Sequence, residues 1–406
     1  MARKKSTDDV VETVANDLLA GLDDELNSIK GLNIQDADSD VKVIPTGIDL
    51  LDTVMGGGVP LGKLVAMTGG AGSGKSTAAV QYVVGFQKYD PKALGIYIDV
   101  EQAINMKRLV ELGCDPNRTK LISKSVTMED IAAIIKGVIA YKIKKNLLDV
   151  PYIVIWDSES VTPTKKSLEA EEMAKVMGEH SRTLGFIMNQ LIPIIAEANV
   201  TLVVIQQLRS KIVANPYAPQ ANELNYGSDQ KATGGSVMQY YPFNLCTSRN
   251  RGDVDYDMMG IRGFKTEIKF VKNKNFAPKV PIQVVLDYAT GLSDFWTKEH
   301  LIRESKGFTS GSKTSLENYK DFKFSRRDIK NLYDTDETFR QKFEELYEQK
   351  KSEIQTNNPW DKNLQIKKSS KEESELSDKA RNLLDKLDLD NIGNSIDGDL
   401  DLEHLG

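Results

Sequence analysis

The stretch TGGAGSGKST, residues 68–77, packs four glycines, one lysine and four hydroxyl side chains into ten positions. An apolar run, KLVAM (63–67), precedes it, and a segment with helical periodicity, KSTAAVQYVVGFQ (75–87), follows it. Glycine lets successive N–H groups curl around an anion, and the helix that follows points its positive end at the same place. The stretch therefore predicts a phosphate-binding loop between a strand and a helix. The alternative is a glycine-rich turn that caps the helix and binds nothing.

The composition is that of a soluble protein with a sizeable core. The chain has 406 residues, of which 40% are hydrophobic and 28% charged, enough for one large domain with extras or for two domains. No stretch approaches the roughly 20 apolar residues that span a bilayer, and the charged N-terminus MARKKSTDDV has no apolar signal core. Two cysteines and three widely spaced histidines favour neither a disulfide framework nor a zinc site. We expect a cytoplasmic protein.

The negative charge of the chain is concentrated at its end. The segment LDLDNIGNSIDGDLDLEHLG, residues 387–406, carries six acidic side chains and no lysine or arginine, and removing it takes the formal charge from −6 to 0. The acidity of the whole chain is therefore a weak argument against nucleic-acid binding.

The pattern of apolar runs divides the chain into four parts. Residues 1–40 contain an N-terminal helix and a polar linker. Residues 41–295 alternate helical segments with short runs that are apolar throughout, as in strands buried on both faces of a mostly parallel sheet. After Pro242 the strand signals are joined by short connections, which predicts antiparallel additions to the sheet edge. Residues 296–360 predict a small helical or mixed domain, and residues 361–406 a mostly disordered acidic tail.

The predicted fold class is α/β, with a mostly parallel twisted sheet flanked by helices. Apolar periodicity places the helices of the sheet-containing part at 75–88, 103–112, 127–145 and 168–198, the last interrupted at Pro193.

The glycine-rich stretch fits the P-loop motif G-x-x-x-x-G-K-[ST]. In this motif the lysine, Lys75, reaches the β- and γ-phosphates of a nucleotide, and the hydroxyl of Ser76 binds Mg²⁺. The predicted ATP-binding residues of the loop are Gly69, Gly70, Ala71, Gly72, Ser73, Gly74, Lys75, Ser76 and Thr77.

Two acidic residues follow other predicted strands. Asp157 ends YIVIWD, where a carboxylate at the carboxyl end of a neighbouring strand would hold Mg²⁺ through water, although an acid in this position is also a common turn former. Glu101 follows IYIDV and is the candidate that orients and deprotonates an attacking water. The alternative for Glu101 is an acid at a helix start, beside Gln102.

With these parts in order, residues 41–295 resemble the RecA family of DNA recombinases. IPTGIDLLDTVMGGGVPLGKLVAMTGGAGSGKST is similar to the family's lead-in and P-loop, IDVEQA to its catalytic-glutamate strand, and VIWDSESVTP to its second nucleotide motif. VIQQLRSKI followed by TGGS is similar to the strand and second DNA loop, and FKTEIKFVKNKNFAP to the strand whose lysines reach a neighbouring subunit. The part that follows is more similar to recombinases of large phages.

The resemblance implies further roles in the nucleotide site. Gln207 matches the glutamine that senses the γ-phosphate, and Lys272 and Lys274 match the pair that completes the neighbour's ATP site. Arg108 stands where the family often stacks an aromatic residue on adenine, with Tyr288 on the other side, which leaves the nucleotide preference open. The predicted catalytic residues are Glu101, Lys75, Gln207, Lys272 and Lys274; Arg108, Asp157 and Tyr288 join the ATP-binding set, and Ser76 and Asp157 form the metal site.

The predicted DNA contacts lie on one helix and one long loop. Arg182 matches a DNA-contacting arginine of the family, and Lys165 and Lys166 are weaker candidates in the first loop. The second loop, which leads on from Gln207, has little helix or strand character and supplies charge and close backbone approach. Its alternative is a solvated surface loop. The predicted DNA-binding residues are Arg182, Arg209, Lys211, Lys231, Gly234 and Gly235.

The resemblance predicts an ATP-dependent recombinase that uses ATP and Mg²⁺, forms a helical filament on single-stranded DNA and pairs it with homologous duplex DNA. A single-strand-binding protein or a loader is an expected partner, and a membrane is not. The alternatives are a hexameric helicase of the same core fold, which normally carries a larger N-terminal domain and an arginine finger, and a mediator that uses ATP only as a switch.

Overall fold

The computed structural model describes residues 41–170, 178–210, 230–232, 237–275, 280–309 and 313–356. The predicted N-terminal helix, the tail from residue 361 and the site candidates Lys211, Gly234 and Gly235 lie outside these ranges, as do the side chains of Arg209 and Lys231. The chain divides into two compact units after Glu353, and the fold that follows is that of the first.

Most strands of the described residues belong to one sheet. The strands are β1 (Val43–Ile44), β2 (Val59–Pro60), β3 (Leu64–Gly69), β4 (Leu94–Asp99), β5 (Thr119–Ser123), β6 (Tyr152–Asp157), β7 (Val200–Ser210), β8 (Gln230–Ala232), β9 (Asn244–Asp253), β10 (Gly263–Asn273), β11 (Pro281–Asp287), β12 (Gly291–Ser293), β13 (Thr314–Leu316) and β14 (Tyr319–Phe324).

The helices lie between these strands and after them. They are α1 (Asp49–Met55), α2 (Lys75–Tyr89), α3 (Met106–Glu111), α4 (Met128–Lys144), α5 (Lys165–Glu169), α6 (Glu179–Glu197), α7 (Val237–Tyr240), α8 (Tyr256–Met259), α9 (Asp294–Glu304), α10 (Ile329–Thr335) and α11 (Glu337–Thr356). None of the helices in the described ranges combines the length and apolar character needed to cross a bilayer.

The main sheet confirms the predicted fold class. Its strand order is β12-β11-β10-β9-β3-β7-β6-β4-β5, with β8 paired to β7. Along the path from β9 to β5, the six strands pair in parallel with one another. Beyond β9, the strands β10, β11 and β12 add in antiparallel pairs, as predicted for the chain after Pro242. The prediction was wrong for β9, which also follows Pro242 but lies parallel to β3 inside the sheet. All residues of β3 and β6 are buried, because helices cover both faces of a parallel sheet.

The predicted helix over 168–198 is helical only in part where the structure describes it. Helix α5 ends at Glu169 and α6 begins at Glu179, and Ala170 and Gly178 are not helical, while residues 171–177 lie outside the described ranges. The expected break at Pro193 does not occur, since α6 continues through it to Glu197. Pro193 is exposed, and there water can replace the backbone hydrogen bond that proline cannot donate.

A cluster of apolar side chains links the residues that follow the main sheet to the antiparallel edge of that sheet. It is built around Phe295, Phe339 and Phe343, and it also takes in Val285 of β11. The rings of Phe295 and Phe343 stack with centroids 5.5 Å apart. The buried members of this cluster are Met259, Val285, Phe295, Trp296, Ile302, Leu316, Phe324, Ile329, Phe339, Phe343, Leu346 and Tyr347. The domain division at residues 295 and 296 falls inside α9 and stays a prediction.

A buried lysine fixes one end of α4 against two turns that lead into the sheet. The Nζ of Lys142 donates hydrogen bonds to the backbone oxygens of Val150 (2.5 Å), Ala198 (2.5 Å) and Asn199 (3.3 Å). It also lies 4.5 Å from the centre of the Tyr152 ring. Burial lowers the pKa of Lys142 to about 8, so the side chain is still mostly charged at neutral pH. These oxygens lie just before the first residues of β6 and β7.

Replacing Lys142 by methionine should destabilise the fold without touching the site at the other end of the strands. Three backbone oxygens would lose their charged donor, and we expect the free energy of unfolding to fall by about 3 kcal/mol in urea titrations. Lys144→Met, exposed on the same helix, is the matched control and should change it by less than about 0.5 kcal/mol. Equal free energies of unfolding for the two variants would show that the hydrogen bonds of Lys142 do not stabilise the fold.

Candidate nucleotide-binding site

The carboxyl ends of the parallel strands bring the predicted site residues to one edge of the sheet. Gly69, at the end of β3, is in register with Gln207 of β7 and with Ser248 of β9. Asp99, at the end of β4, is in register with Asp157 of β6. Ligands of α/β sheets bind at this edge because loops and helix N-termini meet there.

The P-loop is held open by glycine and fixed by its neighbours. Gly72 and Gly74 have φ of +66° and +86°, which favours glycine, and α2 begins directly after them at Lys75. A Cβ on Gly69 would lie 2.5 Å from the Oγ of Ser248, so this position accepts no side chain. The Oγ atoms of Ser73 and Ser248 are 2.8 Å apart, which ties the loop to β9.

Lys75 is folded into the loop itself. Its side chain is 8% exposed, and Nζ donates to the backbone oxygens of Gly69 (3.1 Å) and Gly70 (2.7 Å). Burial lowers the pKa of Lys75, while the carboxylates of Asp157 and Glu101 act in the opposite direction. Among the described residues, the hydrogen-bond partners of this ammonium group are uncharged carbonyls, which a phosphate can replace.

Ser76 and Asp157 converge as the predicted metal site requires. The Oγ of Ser76 donates to Oδ2 of Asp157 at 2.6 Å, and the hydroxyl of Tyr97 donates to the same oxygen at 2.5 Å. Burial raises the pKa of Asp157, and the two hydrogen bonds counteract this. A hydroxyl and a carboxylate are the hard oxygen ligands that suit Mg²⁺. No group of three or more histidine, cysteine or acidic side chains in the described ranges is arranged to hold a metal, so a cation here would take further ligands from phosphate and water.

Glu101 and Gln207 meet across the sheet edge. The Oε1 of Glu101 accepts hydrogen bonds from the Nε2 of Gln207 (2.8 Å) and the Oγ of Ser158 (2.5 Å). The backbone N–H of Gln207 in turn donates to the Oγ of Ser160 at 2.8 Å. The glutamate is thus fixed by residues of β7 and of the segment after β6, the two places from which the predicted DNA loops depart.

A cavity of about 230 Å³ continues from the P-loop to Arg108 and Tyr288. Its inner wall is apolar, formed by Phe264 and Leu286, and the Phe264 and Tyr288 rings have centroids 5.8 Å apart. The guanidinium of Arg108 donates to the backbone oxygen of Tyr288 (2.6 Å) and to that of Ala289 (3.1 Å). The two residues predicted for the nucleoside end of the site therefore lie together there.

The other predicted residues lie away from the P-loop. Lys272 donates to the backbone oxygens of Gln239 (3.4 Å) and Tyr240, and Lys274 lies 5.7 Å from the centre of the Phe243 ring. The side chain of Arg182 is 72% exposed, with Nη2 3.9 Å from a Glu179 oxygen. Arg209 and Lys231 are in register where β7 pairs with β8.

Sequence reasoning missed the residues that hold the site together. Tyr97, Ser158, Ser160 and Ser248 contact predicted site residues, but each lies distant in sequence from at least one partner. One signal for Tyr97 was present, since it precedes Asp99 by two positions and so shares its face of β4.

Tyr97→Phe should weaken the metal site selectively. Losing this hydrogen bond raises the pKa of Asp157 further, so more of the carboxyl is protonated as the pH falls. We expect the Mg²⁺ concentration for half-maximal ATP binding to rise severalfold at pH 6 and less at pH 8, as measured by nucleotide titration. Tyr82→Phe, which removes an equally buried hydroxyl with no hydrogen-bond partner among the described residues, is the control. The same Mg²⁺ response in both variants would contradict this role.

Comparisons with known proteins agree with this geometry. The RecA N-terminal domain family matches residues 24–293. Protein RecA of Syntrophus aciditrophicus is 28% identical over 269 residues, covering 66% of this chain and 72% of that protein. Protein RecA of Francisella philomiragia is 27% identical over 290 residues, covering 70% and 75% respectively. Protein RecA of Chloroherpeton thalassium is 27% identical over 326 residues, covering 79% and 83%.

The phage-encoded branch stays a prediction, since these relatives are bacterial proteins. The family match covers more than half of the chain, including the P-loop, the strand that ends at Asp157 and the strand that carries Gln207. From this match and the arrangement of the strand ends, we conclude that the chain belongs to the RecA family.

Proposed function

We propose that this chain is an ATP-dependent DNA recombinase that polymerises on single-stranded DNA and pairs it with homologous duplex DNA. Family membership supports the general class, a DNA-dependent ATPase acting in recombination. The observation that carries the proposal is the bridge between Glu101 and Gln207, because it joins the predicted catalytic group to a strand that leads towards a predicted DNA loop.

Hydrolysis needs a group that orients and deprotonates water beside the γ-phosphate. Glu101 is exposed, held by Ser158 and Gln207, and close enough to Lys75 to influence its pKa. The P-loop and Lys75 would bind the phosphates, and Ser76 and Asp157 would hold Mg²⁺, which would neutralise charge on them. In this arrangement the protein contributes position and electrostatics more than covalent chemistry.

The same contacts offer a route from nucleotide to DNA. Gln207 contacts Glu101 through its side chain and Ser160 through its backbone, and Ser160 lies five residues before Lys165 of the predicted first DNA loop. Gain or loss of a γ-phosphate near Gln207 would change both contacts together. Each DNA loop is therefore proposed to respond to the nucleotide through this one glutamine.

Lys272 and Lys274 are proposed to complete the site of a neighbouring subunit. Strand β10 starts beside the P-loop, where the Oγ1 of Thr266 donates to the backbone oxygen of Ser73 at 2.8 Å. It then runs away from the loop, and Lys272, six residues on, is displaced by about 20 Å. Lys272 is in register with Leu245, which pairs with Ala66 near the start of β3. These lysines thus lie towards the amino ends of the parallel strands, at the opposite end of the sheet from their own P-loop. This position supports a role across a subunit seam.

DNA binding is proposed to depend on charge near α6. The side chains of Arg182 and Lys166 are 72% and 61% exposed, so both can reach a phosphate of the DNA backbone. Further contacts with the DNA backbone would come from Arg209, Lys211 and Lys231, together with Gly234 and Gly235. Binding through the backbone gives little sequence preference, as a recombinase that reads homology by base pairing requires.

The remaining parts of the chain complete the proposal. Residues 1–40 would serve oligomerisation, residues 296–360 would form the small C-terminal domain, and residues 361–406 would be the acidic tail. The filament would act in the cytoplasm of a bacterium or of a phage's host, helped by a single-strand-binding protein or a loader.

Glu101→Gln should separate binding from hydrolysis. The amide keeps the shape but cannot act as a base, so we expect ATPase turnover on single-stranded DNA to fall about 100-fold or more while ATP still binds. Lys75→Ala should lose ATP binding as well, and Glu348→Gln, on an exposed part of α11, should match the unchanged chain. Turnover within twofold of the unchanged chain for Glu101→Gln, or no DNA stimulation of the unchanged chain, would overturn the proposed function.

A mixing experiment tests whether the ATP site is shared between subunits. Lys75→Ala and Lys272→Ala chains should each be inactive alone, because every seam lacks one partner. In a 1:1 mixture about a quarter of the seams would pair an intact P-loop with an intact Lys272, so DNA-stimulated ATPase activity should recover to about a quarter.

The control mixes Lys75→Ala with Lys269→Ala, another lysine of β10. Lys269→Ala should be active alone, and mixing should leave only the activity expected from dilution. No recovery in the first mixture would place Lys272 outside the shared site.

A further inference from the structure

The nucleoside end of the cavity is built from hydrogen-bond donors. A guanidinium carries five N–H groups. In Arg108, Nη1 donates to the Glu111 carboxylate (3.2 Å) and to the Ala289 oxygen (3.1 Å), and Nη2 donates to the Tyr288 oxygen (2.6 Å). These contacts use three of the five N–H groups. Within the described residues, one Nη2 hydrogen and the Nε hydrogen make no such contact and can bind a ligand.

The acceptors beside Arg108 are already bound to it. The backbone oxygens of Tyr288 and Ala289 and one oxygen of the Glu111 carboxylate each receive a hydrogen from this one guanidinium. The inner wall of the cavity, Phe264 and Leu286, is apolar and contributes no side-chain acceptor. A base amino group that points at Phe264 or Leu286 would therefore meet carbon atoms.

We propose that Arg108 makes this a purine site that accepts guanine about as well as adenine, so that the chain uses GTP as well as ATP. This inference rests on the proposed function. Guanine presents two acceptors on one edge, O6 and N7, which match the paired donors of an arginine, whereas adenine presents N7 beside an amino donor. Stacking against Tyr288 or the guanidinium face favours neither purine.

Two features keep Arg108 in this role. Two of its hydrogen bonds join α3 to the turn between β11 and β12, and the third stays within α3, so the guanidinium is fixed at the cavity wall instead of extending into water. Its side chain is only 30% exposed, although the ring of Tyr288 beside it is largely open. A fixed, planar donor is the kind of group that discriminates between base edges.

The test compares the dissociation constants of AMP-PNP and GMP-PNP for the full chain with Mg²⁺, by calorimetry. We expect the two constants to agree within tenfold. Arg108→Ala should weaken GMP-PNP about tenfold more than AMP-PNP, and Arg108→Lys, which keeps the charge but not the paired donors, should behave similarly. Arg262→Ala is the matched control: its guanidinium lies 5.2 Å from the Tyr256 ring and outside this cavity, so neither constant should change by more than twofold.

The outcomes distinguish a failure of the proposed function from a failure of the base preference alone. If neither nucleotide binds, the proposed function itself fails. If AMP-PNP binds and GMP-PNP is more than tenfold weaker, or if Arg108→Ala weakens both equally, only the base inference fails.

Discussion

The hydrogen bond between Ser76 and Asp157 is the constraint on which the rest of the site depends. It joins the first turn of α2, which follows β3, to the end of β6. In the sheet, β7 lies between β3 and β6. The contact therefore forms only if β3, β7 and β6 are in the observed register. With that register set, Glu101 reaches Gln207 and the P-loop faces both. A slip along any of these strands would separate Asp157 from Ser76 and the P-loop.

Charge explains why such an arrangement is poised for a nucleotide. Lys75 and Asp157 are both largely buried. Burial lowers the pKa of Lys75 and raises the pKa of Asp157, which favours the neutral form of each side chain. A phosphate beside Lys75 and a cation beside Asp157 would each favour the charged form again. Lys272 lies towards the other end of the strands from its own P-loop. In the proposed filament, a bound phosphate would therefore attract Lys272 of a neighbouring subunit, and nucleotide binding would favour polymerisation.

The sequence predicts the sheet and the P-loop well because both have short-range causes. Runs that are apolar throughout identify β3, β4 and β6, and glycine spacing identifies the loop. Tyr97 and Ser248 escape because their roles depend on side chains that meet across strands, which no local pattern records. The break expected at Pro193 was wrong for a related reason: exposure decides whether a helix tolerates proline, and exposure depends on tertiary packing.

Electron microscopy of the purified chain with ATPγS, Mg²⁺ and long single-stranded DNA shows whether nucleotide is held at a seam between copies that wrap one strand. We expect continuous helical filaments that are absent when nucleotide or Mg²⁺ is omitted. Closed rings would instead indicate a helicase of the same core fold, and isolated subunits on or off the DNA would contradict a shared site altogether.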